Sequence, residues 1–130
     1  MNTLFSHVCV VTMDDRMSVW TDAFVGVTDG KISWLSKHAP EEKPDQIIDA
    51  TGMVLMPGLI NCHTHLPMQL LRGYADDLKL QEWLNDYIFP REDRLDGRCV
   101  RAATTLAVAE CLKFGVMSVS DMYYFCDDIC

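Results

Sequence analysis

The stretch from Leu59 to Asp121 constrains the fold most. Leu59-Ile60-Asn61-Cys62 reads as a short buried strand introduced by Pro57-Gly58. Gly97 to Phe114 is an amphipathic helix, with Val100, Thr104, Ala107 and Cys111 along one face and Leu106 and Leu112 beside it. Gly115 is placed to stop it, and Val116 to Ser120 reads as a second buried strand ending at Asp121. Strand, helix, strand in that order predicts a parallel βαβ unit in an α/β fold. Such a unit does not stand alone, because two parallel strands leave sheet edges and a face uncovered.

Upstream of Pro57 the pattern is different. His7 to Thr12 and Ala23 to Thr28 are apolar, β-branched runs, and Lys31 to Leu35 alternates polar with apolar residues. The Asp29-Gly30 pair between the last two is a strong hairpin signal. His38 to Asp45 is polar with two prolines and reads as a loop. Gln46 to Asp49 and Met53 to Met56 complete a set of short strands, expected to form an antiparallel layer. The domain boundary is therefore set at 57/58, giving residues 1–57 and 58–130.

Charge and composition exclude several functions. The net charge of −8 and the lack of a basic cluster argue against nucleic-acid binding. No apolar run is long enough for a membrane span, and the N-terminus lacks the pattern of a signal peptide. Of the six cysteines, Cys9, Cys62, Cys99 and Cys111 sit in apolar segments, as small buried hydrophobes do. Free thiols in a reducing, cytoplasmic setting are expected.

The chemistry is carried by His63-Thr64-His65 at the end of the first strand. Residues two apart on a strand face the same side, about 6.5 Å apart along it. The two imidazoles therefore project together, while Cys62 and Thr64 point the other way. Two neutral imidazoles on one strand are half a site for Zn²⁺ or Fe²⁺. Taken alone, an H-x-H pair is more often structural than ligating. A long segment follows, in which Leu80 to Ile88 is expected to be helical.

The run VLMPGLINCHTH, Val54 to His65, resembles the first barrel strand of the amidohydrolase superfamily. Pro67 to Gly73, Asp76-Asp77-Leu78, Glu82-Trp83-Leu84, Pro90 to Asp93 and Asp121-Met122-Tyr123 resemble its 5′-methylthioadenosine/S-adenosylhomocysteine deaminases and the related triazine chlorohydrolases. The resemblance fades after Tyr123. It implies a metal-dependent (β/α)₈ TIM barrel, begun at about residue 58, preceded by part of a small β-sandwich domain. A full barrel needs about 250 residues, so the chain would stop before most of the active site. The family's other metal ligands and its proton-shuttling glutamate come from later strands, and no catalytic residue is assigned here.

By the same resemblance, His63 and His65 hold one divalent metal, Zn²⁺ in preference to Fe²⁺. Trp83 and Glu92 contact the nucleoside: an indole gives an apolar wall, and a carboxylate accepts from both hydroxyls of a ribose diol. Read without the family, Trp83 is a core anchor and Glu92 part of a solvated charge run, Arg91 to Arg94. Arg72 and Asp76 are loop candidates, and Asp121 either lines the barrel mouth or caps the next segment. The implied function is hydrolytic deamination of adenosine-type nucleosides, with a small-molecule substrate and room for a homo-oligomer. The alternatives are a related hydrolase of a triazine, guanine or cytosine derivative, and a truncated chain without catalysis.

Overall fold

A computed structural model describes residues 2–129. The chain divides into two compact units, one up to Pro57 and one from Gly58.

The first unit is a single five-stranded sheet. Strands β1 (Thr3–Val11), β2 (Val19–Thr28), β3 (Lys31–Ser36) and β4 (Gln46–Asp49) lie in the order β3-β2-β1-β4, and β5 (Val54–Leu55) pairs with the far half of β1. The hairpin at Asp29-Gly30 forms, with φ of 50° and 73° at its two central residues. Both values lie in the left-handed region that a two-residue hairpin turn demands. Alternate residues of β1 and β2 build the core. Val8, Val10, Ala23 and Val25 are buried with Ala50, flanked by Phe5, Trp20, Leu35 and Leu55.

The sheet is mixed rather than antiparallel throughout, because β4 and β5 both run parallel to β1. The chain leaves β3 on one edge and crosses to the other through residues 37–45. The crossing brings β4 back in the direction of β1. His7, at φ 57°, marks a register shift in β1 between Phe5 and Val8. Such a bulge bends the strand, and here β1 changes partner from β4 to β5 across it.

The second unit contains the parallel pair β6 (Leu59–Thr64) and β7 (Val116–Asp121) with α3 (Gly97–Lys113) between them in the chain. Close pairing needs Gly58, since a Cβ there would fall 2.6 Å from the Met117 Cβ. Asp96 caps α3 by accepting from the Cys99 N–H at 2.9 Å. Gly115 follows the helix with φ of 76°, as a left-handed stop. Val100, Ala103, Thr104 and Ala107 form the buried stripe of α3, which packs on a 3₁₀ turn, Leu66–Leu71.

Three expectations of burial fail. Leu59 and Ile60 of β6 and Met117 of β7 are exposed rather than buried. Leu106 and Leu112 of α3 are exposed too. Cys62 and Cys99 are exposed, and Cys9 and Cys111 only half-buried, although none of the described cysteines is in a disulfide. In the second unit, two strands and one long helix do not supply enough neighbouring surface to cover these apolar side chains, a reason that does not extend to Cys9 on β1 of the first unit.

The helix expected at Leu80 to Ile88 runs further and is less regular. It begins as α1 (Leu80–Glu82), widens to a π stretch over Trp83–Ile88, and ends as α2 (Phe89–Glu92). The Phe89 N–H reaches the Leu84 carbonyl, five residues back. Pro90 has no N–H, and in an α-helix its ring would strike the carbonyl four residues back. A wider turn ahead of it relieves that clash. A four-residue helix, α4 (Cys126–Ile129), closes the described chain.

Candidate active site

The last residues of β6 and β7 lie side by side, and the candidate site is built on that junction. The Nε2 atoms of His63 and His65 converge to 3.2 Å, with ring planes 82° apart. Two ligands on a tetrahedral zinc at about 2.0–2.1 Å would be about 3.3–3.4 Å apart. The pair therefore fits one edge of such a site, and the same separation suits an N–H···N hydrogen bond without metal. His65 Nδ1 lies 2.6 Å from the Met122 carbonyl oxygen. A carbonyl only accepts, so Nδ1 carries the proton and Nε2 presents its lone pair. No third His, Cys, Asp or Glu joins the pair among the described residues. Half a coordination sphere is present.

Asp121 does not point into open space. Its Oδ1 accepts from the Thr64 hydroxyl at 2.6 Å and from the Leu66 N–H at 2.7 Å. The Met122 N–H donates to the Thr64 carbonyl at 3.0 Å. These bonds cap the 3₁₀ turn that follows β6, a segment upstream of Asp121 rather than the next one in the chain.

His65 also forms part of the wall of a cavity of about 350 Å³. Met68, Trp83, Ile88, Phe89, Glu92, Met122, Tyr123 and Tyr124 line it with Leu84. His63 and His65 together line a second, more open groove beside Thr64, Gln69 and Glu110. The π stretch and α2 bring Trp83 and Glu92 to the same cavity. Both are half-buried, whereas Arg91, Asp93 and Arg94 around Glu92 are exposed. Glu92 Oε1 accepts from the Tyr123 hydroxyl at 2.6 Å, the length of a charge-assisted bond. Burial first, then this bond and the charge of Glu92, hold the Tyr123 phenol well above its ordinary range. Tyr123 thus stays protonated and donates.

The loop candidates lie elsewhere. Arg72 forks onto Glu110, with Nη1 to Oε1 at 2.9 Å and Nη2 to Oε2 at 2.5 Å, and also bonds Gln69. Each partner pushes the other towards its charged form, which pins the 3₁₀ turn to α3. Asp76 is exposed beside Ala75 and Asp77, in a separate groove that Trp83 also lines. The pairing of Tyr123 with Glu92 has no local signal in the sequence. The residues are 31 apart, and only the fold joins them.

The chain is 42% identical over 125 residues to the 5′-deoxyadenosine deaminase of Methanosarcina acetivorans, covering 96% of this chain and 29% of that protein. It is 35% identical over 129 residues to the 5-methylthioadenosine/S-adenosylhomocysteine deaminase of Thermoanaerobacter pseudethanolicus, covering 99% of this chain and 30% of the relative. A zinc-bound adenosine deaminase from Xanthomonas campestris superposes with a TM-score of 0.87 at 36% identity, over 98% of this chain and 30% of that one. The zinc complex of atrazine chlorohydrolase from Arthrobacter aurescens gives 0.80 at 25% identity, over 92% of this chain and 28% of that one. The chain thus spans about 30% of the length of the relatives it matches. Residues 54–129, more than half of the chain, match the amidohydrolase family, and the chain belongs to that family.

Proposed function

We propose that this chain forms part of a metal-dependent hydrolytic deaminase of adenosine-type nucleosides. In this reading residues 1–57 are a share of a β-sandwich domain, and 58–130 begin a (β/α)₈ barrel. His63 and His65 hold a divalent metal, zinc before iron. Trp83 and Glu92 receive the nucleoside, with a small-molecule substrate in a cytoplasmic enzyme. The observation that carries it is the shared cavity: His65, Trp83 and Glu92 line one space, and His65 Nε2 lies 3.2 Å from His63 Nε2 beside it.

When bound, the metal lowers the pKa of water towards neutrality and so supplies a nucleophile for the ring carbon bearing the amino group. The residues of this chain do the binding and orienting. The Met122 carbonyl keeps His65 in the tautomer that can ligate. The Trp83 indole offers an apolar wall to a purine. Glu92 has Oε1 fixed by Tyr123, which leaves Oε2 to accept from a ribose hydroxyl.

The test is ammonia release by the full-length protein from 5′-deoxyadenosine, methylthioadenosine and S-adenosylhomocysteine, with zinc content measured alongside. Turnover of these nucleosides, with zinc and activity lost together in His63→Ala and His65→Ala, is expected. Full zinc occupancy in both variants would sink the ligand assignment. The 25% identity to atrazine chlorohydrolase favours a second reading, hydrolysis of a triazine or a related ring. Turnover of such a ring with none of a nucleoside would establish it.

A further inference from the structure

We infer that Asp121 is a positioning residue for the metal pair, setting zinc affinity from the neighbouring strand without touching the metal. The inference rests on the reading of His63 and His65 as ligands, and it extends the capping bonds of Asp121 to a role in metal affinity.

His65 is the N-cap residue of the 3₁₀ turn Leu66–Leu71, and its side chain makes no capping bond. The first N–H groups of any helical turn lack partners within it. Here the Leu66 N–H finds one on β7, in the Asp121 carboxylate at 2.7 Å. The same oxygen takes the Thr64 hydroxyl at 2.6 Å. Asp121 thus holds the residues on both sides of His65. The Met122 N–H and carbonyl extend the clamp, donating to the Thr64 carbonyl at 3.0 Å and accepting from His65 Nδ1 at 2.6 Å.

The consequence follows from bond direction. The Met122 carbonyl fixes the His65 ring only while β6 and β7 keep their register at this point. The backbone pairing is irregular there, with a register shift between Asn61 and Thr64. Side-chain bonds from Asp121 take over where the ladder is interrupted. Without them the backbone at His65 is freer, the Nδ1 bond to Met122 loosens, and Nε2 no longer sits 3.2 Å from its partner. Ligand pairs bind metal tightly when their geometry is held in advance, and loss of an outer contact of this kind weakens binding about 10- to 100-fold.

The experiment is zinc affinity of the full-length enzyme, measured by competition with a chromogenic chelator, for wild type, Asp121→Ala, Asp121→Asn and Thr64→Val. Asp121→Ala is expected to weaken zinc binding about 10- to 100-fold. Asp121→Asn should retain most of the affinity, because an amide oxygen still accepts both bonds. Thr64→Val keeps the shape, removes one of the two donors, and should give an intermediate loss. The visible spectrum of the Co²⁺-substituted enzyme should shift in Asp121→Ala, a change that a loss of global stability alone does not produce. Wild-type zinc affinity in a folded Asp121→Ala protein would overturn the inference. Should that variant not fold, wild-type affinity in Thr64→Val would overturn it equally. Zinc retained in His65→Ala would instead remove the ligand reading itself, so the two failures are distinguishable.

Discussion

Replacing Tyr123 with Phe removes one hydroxyl and leaves the ring in place against His65 and Tyr124, 6.4 and 5.7 Å away between centroids. The lost interaction is the 2.6 Å bond to Glu92 Oε1. Bonds to charged groups contribute about 1.5–3 kcal/mol. Both partners are half-buried and the cavity is open, so water can replace the phenol at the carboxylate. A figure at or just below the lower end, about 1–1.5 kcal/mol, therefore applies. If Glu92 binds the ribose diol, that energy holds the carboxylate ready for it. Its loss should lower kcat/KM for nucleosides about 5- to 10-fold, mostly through KM. A free base has no diol, so its turnover should change little.

The assay is steady-state ammonia release from methylthioadenosine and adenine, in a cycle with Glu92→Ala. The two substitutions should couple, with Glu92→Ala costing less in the Tyr123→Phe background. Equal losses on nucleoside and base would refute the argument. Additive effects would do so as well, by showing that Tyr123 acts through something other than Glu92.

Three further outcomes test the packing beneath the site. The Cys99 backbone N–H, then the other bonds to Cys99 and Arg98, lowers the Asp96 pKa from 3.8 to about 2. This contribution is complete above about pH 4 and is lost as pH falls towards 2, so Asp96→Ala should flatten the acid dependence of stability there, read by urea midpoints. Thr104 is buried, its hydroxyl has no hydrogen-bond partner among the described residues, and Thr104→Val keeps the shape. It should raise stability by about 1 kcal/mol, whereas a loss would show that the hydroxyl is hydrated or paired. Gly58→Ala should destabilise by about 1–2 kcal/mol, because the new Cβ meets the Met117 side chain. Met117→Ala removes the Cγ but leaves the Cβ 2.6 Å from the new one, so it should restore only part of that loss, and full rescue would place the whole clash at the Cγ.

Much of the local structure was legible in the sequence because it depends on neighbours. The Asp29-Gly30 hairpin, the stop at Gly115 and the buried stripe of α3 follow from backbone preference and helical period. The H-x-H pair at a strand end followed from the period of two in a strand, and family membership from the motifs around it. What depends on distant chain did not show. The parallel placement of β4 and β5 is set by a crossing loop that carries no signature of direction. The π stretch that presents Trp83 is a response of the helix to Pro90. Exposure of Leu59, Ile60 and Met117 depends on what covers them, which apolar pattern alone does not specify. Above all, Glu92 leaves its charged run for a cavity because Tyr123 meets it there, and Asp121 turns towards Thr64 and Leu66 because β7 lies beside β6. Those contacts join residues 31 to 57 positions apart, and only the packed strands and helices bring such donors and acceptors within bonding distance.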